Sequence, residues 1–226
     1  MPLEGTIPKK AQKGKFSIMK NKSYIGISFI VLIFGIWAVP KIVSRFQKSD
    51  LLVIGEAPKF ELTDQNNKKI SNKDYEGKVY VLEFFFSTCP TICPKMNENM
   101  LKLQKEFYGN PDFGIASITI NPENDTPQVL KEHADKLGVK NYNWHLLTGK
   151  RDYIHELALK GFNLYAGVNK DVSGGFEHSG LFALIDKDGN IRSRKDKFGN
   201  PITYYDGLED SGVQAIKEDI KKLLEE

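Results

Sequence analysis

Cysteine is nearly absent from this chain: two residues in 226. The one bridge they can form closes a loop of three intervening residues, Pro90, Thr91 and Ile92. Such a loop removes little entropy from the unfolded chain, so a disulfide-stapled fold is excluded. An excess of one charge is also missing from most of the chain. Residues 1–50 hold nine Lys/Arg against two Asp/Glu, whereas residues 51–226 hold 23 against 27, a net of −4. The basic pI of about 8.6 therefore belongs to the N-terminal stretch, and no nucleic-acid partner is expected. Internal repeats and long Pro/Gly/Ser stretches are absent too. That leaves roughly 170 residues as one domain with one core.

Charge disappears altogether from residues 23–40, an 18-residue apolar run. At roughly 1.5 Å per residue it spans a bilayer core if Lys22 and Lys41 snorkel. A cleaved signal peptide is disfavoured because Trp37-Ala38-Val39-Pro40-Lys41 offers no small-x-small site. Lys9, Lys10, Lys13, Lys15, Lys20 and Lys22 precede the run, against Lys41, Arg45 and Lys48 after it. This bias puts the N-terminus in the cytoplasm. The expected organisation is a basic cytoplasmic tail over 1–23, a transmembrane anchor over 24–43, a tether over 44–56 and a domain over 57–226. The chain is then a single-pass inner-membrane protein whose main domain is extracytoplasmic, on the periplasmic side.

Within the domain, strands are expected at 59–63, 78–86, 113–120, 144–147, 181–185 and 191–194. After Lys78 the run to Phe86 is continuously apolar except for Glu83, as in a strand buried on both faces. Helices are expected from Pro94 to Gly109, over 126–137, over 150–159 and over 213–224. Asp186-Lys187-Asp188-Gly189-Asn190 reads as a hairpin turn. Strands alternating with helices, then a terminal hairpin and helix, imply an α/β fold with a central mixed sheet flanked by helices.

Both cysteines fall on the turn between the 78–86 strand and the helix that follows, in Cys89-Pro90-Thr91-Ile92-Cys93-Pro94. Cys93 lies at or beside a helix N-terminus, where unpaired N–H groups and the helix dipole favour a thiolate, so its pKa is expected to be depressed. Cys89 is close enough for both sulfurs to face one point. The pair then forms a redox disulfide or gives two thiolates to one soft ion. A third ligand is sought among four histidines. His133 and His155 lie in amphipathic helices and read as surface or core-edge residues, and His145, in a strand, reads as structural. His178 sits in the glycine-flanked run Gly174-Gly175-Phe176-Glu177-His178-Ser179-Gly180, read as a loop of the kind that positions reactive groups.

These segments, with Ile118-Thr119-Ile120-Asn121-Pro122-Glu123-Asn124-Asp125-Thr126-Pro127, Trp144 to Gly149 and Leu184 to Gly189, resemble the SCO/SenC family over about residues 52–224. The resemblance implies a membrane-anchored, thioredoxin-like domain. It also implies copper, as Cu(I) or Cu(II), held by Cys89, Cys93 and His178. The implied role is metallochaperone in assembly of the cytochrome c oxidase copper centre, with an oxidase subunit or another copper chaperone as partner. The family often has Asp where Thr91 and Asn121 stand, which leaves Asp125 as the acidic residue of its segment, a supporting or partner-contact group.

Met96 and Met100 share their spacing with Leu103 and Phe107 and read as core rather than thioether ligands. Glu83, six residues before Cys89, is either a proton acceptor for thiol exchange or a strand residue with a local partner. The alternative function is a membrane-anchored thiol-disulfide oxidoreductase that reduces partner cysteines through the redox pair Cys89 and Cys93 without metal. Reductases of this fold carry proline on the loop facing their cysteines; here 176–180 offers His178 and no proline. An inert docking module is the third reading.

Overall fold

Seven consecutive residues, Val79–Phe85, are buried on both faces, and they form the central strand of the computed structural model. The structure describes residues 23–44, 49–168 and 176–226. The chain falls into two units, Met1–Ser44 and Arg45–Glu226.

In the first unit, helix α1 (Ser23–Ser44) occupies the stretch expected to be the anchor. Over 26–39, where its side chains are described, Ile27, Phe29, Ile30, Leu32 and Phe34 are exposed. Among the described residues no helix is long and apolar enough to cross a membrane. Of the basic tail expected over 1–23, all but Ser23 lies outside the described residues.

The second unit is built on strands β1 (Leu52–Glu56), β2 (Glu61–Asp64), β3 (Lys69–Ser71), β4 (Val79–Phe85), β5 (Phe113–Thr119) and β6 (Trp144–Thr148). Strands β7 (Ala166–Val168), β8 (Phe176–His178), β9 (Leu181–Ile185), β10 (Asn190–Ser193) and β11 (Tyr205–Asp206) complete the set. The main sheet runs β1-β10-β9-β4-β5-β6-β2-β3, with β11 on β9. Strands β4, β5 and β6 are parallel, and β9 is antiparallel to β4. A mixed sheet is thus present as expected. The register sets Glu83 opposite Ser117 and Phe85 opposite Thr119.

Helices α2 (Cys93–Glu106), α3 (Pro127–Leu137), α4 (Arg151–Glu156) and α5 (Asp210–Glu225) pack around the sheet. Helix α2 starts with proline inside its first turn, where a missing N–H costs no hydrogen bond, and buries Met96, Met100 and Leu103 completely. Each such side chain contributes about 1.5–3 kcal/mol of transfer free energy. Helix α3 is capped by the Thr126 hydroxyl, which accepts from Val129 N, and is closed by left-handed Gly138. Met96 and Met100 are therefore core, as their spacing implies.

Three differences from the sequence expectations bear on the site. Residues 52–56, assigned to the tether, form β1 and pair with β10. The helix expected over 150–159 changes to a π turn at Leu157–Gly161. Residues 176–178, read as loop, form β8 and pair antiparallel with β7, aligning His178 with Ala166. Strands of three residues carry too little alternation to be seen in a sequence.

Candidate metal centre

The cluster is assembled from three elements that end at one place. Strand β4 runs out at Phe85, and a turn follows in which Cys89 N donates to Phe86 O at 3.2 Å. Helix α2 then begins at Cys93. The short strand β8 brings His178 to the same point, 85 positions later in the chain. Gly180, two residues on, packs against Leu208: a Cβ there would stand 2.7 Å from Leu208 Cδ1. The result is a group in which Cys89, Cys93 and His178 each offer one ligand atom, all within 4.8 Å of one another. All three residues are buried, and both thiols are free.

The histidine is held in one useful form. Its Nδ1 lies 3.1 Å from Ser179 O, and a carbonyl can only accept, so Nδ1 carries the proton. Nε2 is then the lone-pair nitrogen, and it stands 3.0 Å from Cys93 Sγ. The imidazole edge meets the Phe86 ring at 5.9 Å between centroids, an 80° T-shaped contact. A backbone carbonyl behind one nitrogen and a free lone pair on the other is how metal-binding imidazoles are oriented.

The thiols are not equivalent. Cys89 is held well below the ordinary thiol range, chiefly by a hydrogen bond from Cys93. Cys93 is pushed up, because it is the donor in that pair and because it is buried. This reverses the expectation that Cys93 carries the depressed pKa. Cys93 does open the helix, but two adjacent sulfurs share one proton more readily than both ionise, and the less buried sulfur takes the charge. The donor set suits a soft cation: two sulfurs, one of them anionic, and an imidazole nitrogen.

Glu83 is fully buried; one carboxylate oxygen accepts from Ser117 Oγ at 2.7 Å and the other has no partner among the described residues. Ser117 Oγ in turn accepts from Trp144 Nε1 at 3.0 Å. Burial pushes the Glu83 carboxyl up to about 7, against the Ser117 hydrogen bond and the influence of His178. The remaining histidines stand apart from the cluster. His133 stacks on Phe85, His145 Nδ1 reaches Asp64 Oδ2 at 3.2 Å, and His155 Nε2 donates to Ile120 O at 3.1 Å.

Asp125 is fully buried rather than presented to a partner. Its carboxylate accepts from Ser87 N at 3.0 Å and from Ser87 Oγ, two positions before Cys89. Sequence reasoning missed this link, and the 38 positions between Ser87 and Asp125 left no local signal for it.

An α/β sheet of this order, with two cysteines where a central strand passes into a helix and a histidine facing them, defines a thioredoxin-like domain with a soft-metal or dithiol centre. The SCO1/SenC family model matches residues 54–211, and the chain belongs to that family. It is 34% identical over 170 residues to the SCO1 protein homolog of Bacillus subtilis, covering 74% of this chain and 81% of the relative. A solved structure titled as identifying a disulfide switch in BsSco, of the Sco family of cytochrome c oxidase assembly proteins, aligns with a TM-score of 0.64 and 31% identity, over 78% of this chain and 97% of that one. Yeast Sco1 solved with copper bound aligns with a TM-score of 0.54 and 28% identity, over 74% and 88%.

Proposed function

We propose that this chain is an extracytoplasmic copper-binding assembly factor that holds copper as cargo through Cys89, Cys93 and His178. It passes the ion to a cytochrome c oxidase subunit, or takes it from another copper chaperone. The observation that carries the reading is the aim of His178. Its Nε2 lone pair points at Cys93 Sγ while Nδ1 is tied to Ser179 O, in a cluster whose third donor is Cys89. The likeness to copper-bound yeast Sco1 supports it. Thiolates suit Cu(I) and the imidazole extends the site to Cu(II). Residues 24–43 anchor the chain in the membrane with the lysine-rich N-terminus in the cytoplasm, which keeps the domain that begins at β1 beside membrane-embedded partners.

The unequal thiols favour a second role on the same residues. A Cys89 thiolate attacks a partner disulfide and forms a mixed disulfide; Cys93 then loses its proton and resolves it. The products are a Cys89–Cys93 disulfide and a reduced partner. That disulfide removes two donors from the copper site, so oxidation would also gate copper binding.

The test is anaerobic Cu(I) titration of the reduced full chain in detergent, against Cys89→Ser, Cys93→Ser and His178→Ala. One tightly held equivalent, weakened in all three variants, is expected. A chain that reduces partner disulfides yet binds copper no more tightly than its variants is the metal-free reductase instead.

A further inference from the structure

The three donors are not equally well held. Cys93 is fixed by helix α2, whose first turn is closed by Met96 N donating to Ile92 O at 3.0 Å. His178 is fixed by its pairing with Ala166 and by Ser179 O. Cys89 belongs to no helix or strand. Its backbone N–H reaches Phe86 O; its sulfur lies 3.6 Å from Thr91 Oγ1 and accepts from the Cys93 thiol and from the backbone N–H groups of Thr91 and Cys93, all within the turn and the start of α2. These contacts join the turn to α2; its tie to the neighbouring strand is made elsewhere.

Asp125 supplies the fastening. Oδ2 accepts from Ser87 N and from Thr119 Oγ1; Oδ1 accepts from Ser87 Oγ and from Asn124 Nδ2. All four donors are neutral, so the buried carboxylate is satisfied by hydrogen bonds to its own loop, to strand β5 and to the cysteine turn. Thr119 ends β5 opposite Phe85 at the end of β4, and Ile120 N donates to Phe85 O at 2.8 Å. Asp125 thus clamps the ends of two central strands to residue 87.

We infer that Asp125 is the positioning residue of the centre: by fixing the turn through Ser87 it sets where the Cys89 sulfur stands relative to Cys93 and His178. It touches none of the three donors in doing so. The inference rests on the copper reading for one of its two readouts and is independent of it for the other.

The experiment uses the reduced full chain in detergent and the variants Asp125→Asn and Ser87→Ala. Cu(I) affinity is measured by competition, and the Cys89–Cys93 dithiol–disulfide equilibrium is measured against glutathione. Asp125→Asn is expected to weaken copper about tenfold or more and to shift the glutathione equilibrium by a similar factor. Ser87→Ala keeps the backbone N–H bond and should shift both by about threefold, in the same direction. In a Cys89→Ser background, Asp125→Asn should leave the residual copper affinity unchanged, because the sulfur it positions is gone. Wild-type values for both readouts, or an equal loss of copper affinity in the Cys89→Ser background, overturns the inference. If Asp125→Asn does not fold, Ser87→Ala decides. If the wild-type chain takes no copper, the proposed function falls, and the glutathione equilibrium alone decides the role of Asp125.

Discussion

Nε2 of His178 stands 3.0 Å from Sγ of Cys93 across 85 positions of chain. The contact exists because β9 lies antiparallel beside β4, so the residues before one strand meet the residues after the other. With the ring proton on Nδ1, held by Ser179 O, Nε2 has only its lone pair to offer the sulfur. A histidine kept merely for packing needs no such orientation.

His178→Ala removes a donor while leaving both sulfurs in place. Copper affinity measured by competition should fall by more than the 10- to 100-fold typical of a lost supporting group. The far-ultraviolet circular dichroism should not change.

The shared proton makes the thiols react unequally. In the reduced, metal-free chain a small alkylating agent should modify Cys89 first, at a rate that persists as pH falls to about 6, where an ordinary thiol is largely protonated. Cys93 should react only at alkaline pH. Peptide mass spectrometry of timed samples separates the two; equal rates would contradict the pairing.

Glu83 should make stability fall as pH rises. Its folded pKa, about 7, lies above the ordinary carboxyl value of 4.5, so the folded state holds the proton more tightly. That contribution is fully present below about pH 4.5 and is lost as pH rises through about 7. Glu83→Gln accepts the same Ser117 hydrogen bond without the charge. Relative to wild type, urea unfolding should show Glu83→Gln more stable at pH 8, by about 3 kcal/mol, than its difference at pH 4.5. A difference that does not vary with pH would show that the carboxyl is not the source.

Met96→Ala and Met100→Ala should each cost about 2–5 kcal/mol of stability, as cavities in a filled core do. Copper stoichiometry should be unaffected in both, which separates core methionines from thioether ligands.

Much of the scaffold was legible because its signals are local. The apolar run of β4, the Pro94 helix start, the Thr126 cap and the Gly138 stop each declare themselves within a few residues. Strands β7 and β8 were missed, since three residues carry no usable period, and β8 was read as loop for that reason. The cysteine pair stood out by rarity and His178 by its surroundings. The order of the two thiol pKa values was not legible, because it depends on which sulfur is more buried and which donates. The Asp125–Ser87 link was equally hidden, being a long-range contact between two ordinary loop residues.

The central claim is that one copper ion takes two sulfurs and one nitrogen from Cys89, Cys93 and His178. X-ray absorption of the reduced full chain loaded with one equivalent of Cu(I) tests it most directly. The account predicts two sulfur neighbours and one nitrogen neighbour in the wild type, with the nitrogen lost in His178→Ala. A wild-type spectrum without nitrogen, or one that His178→Ala leaves unchanged, would contradict it.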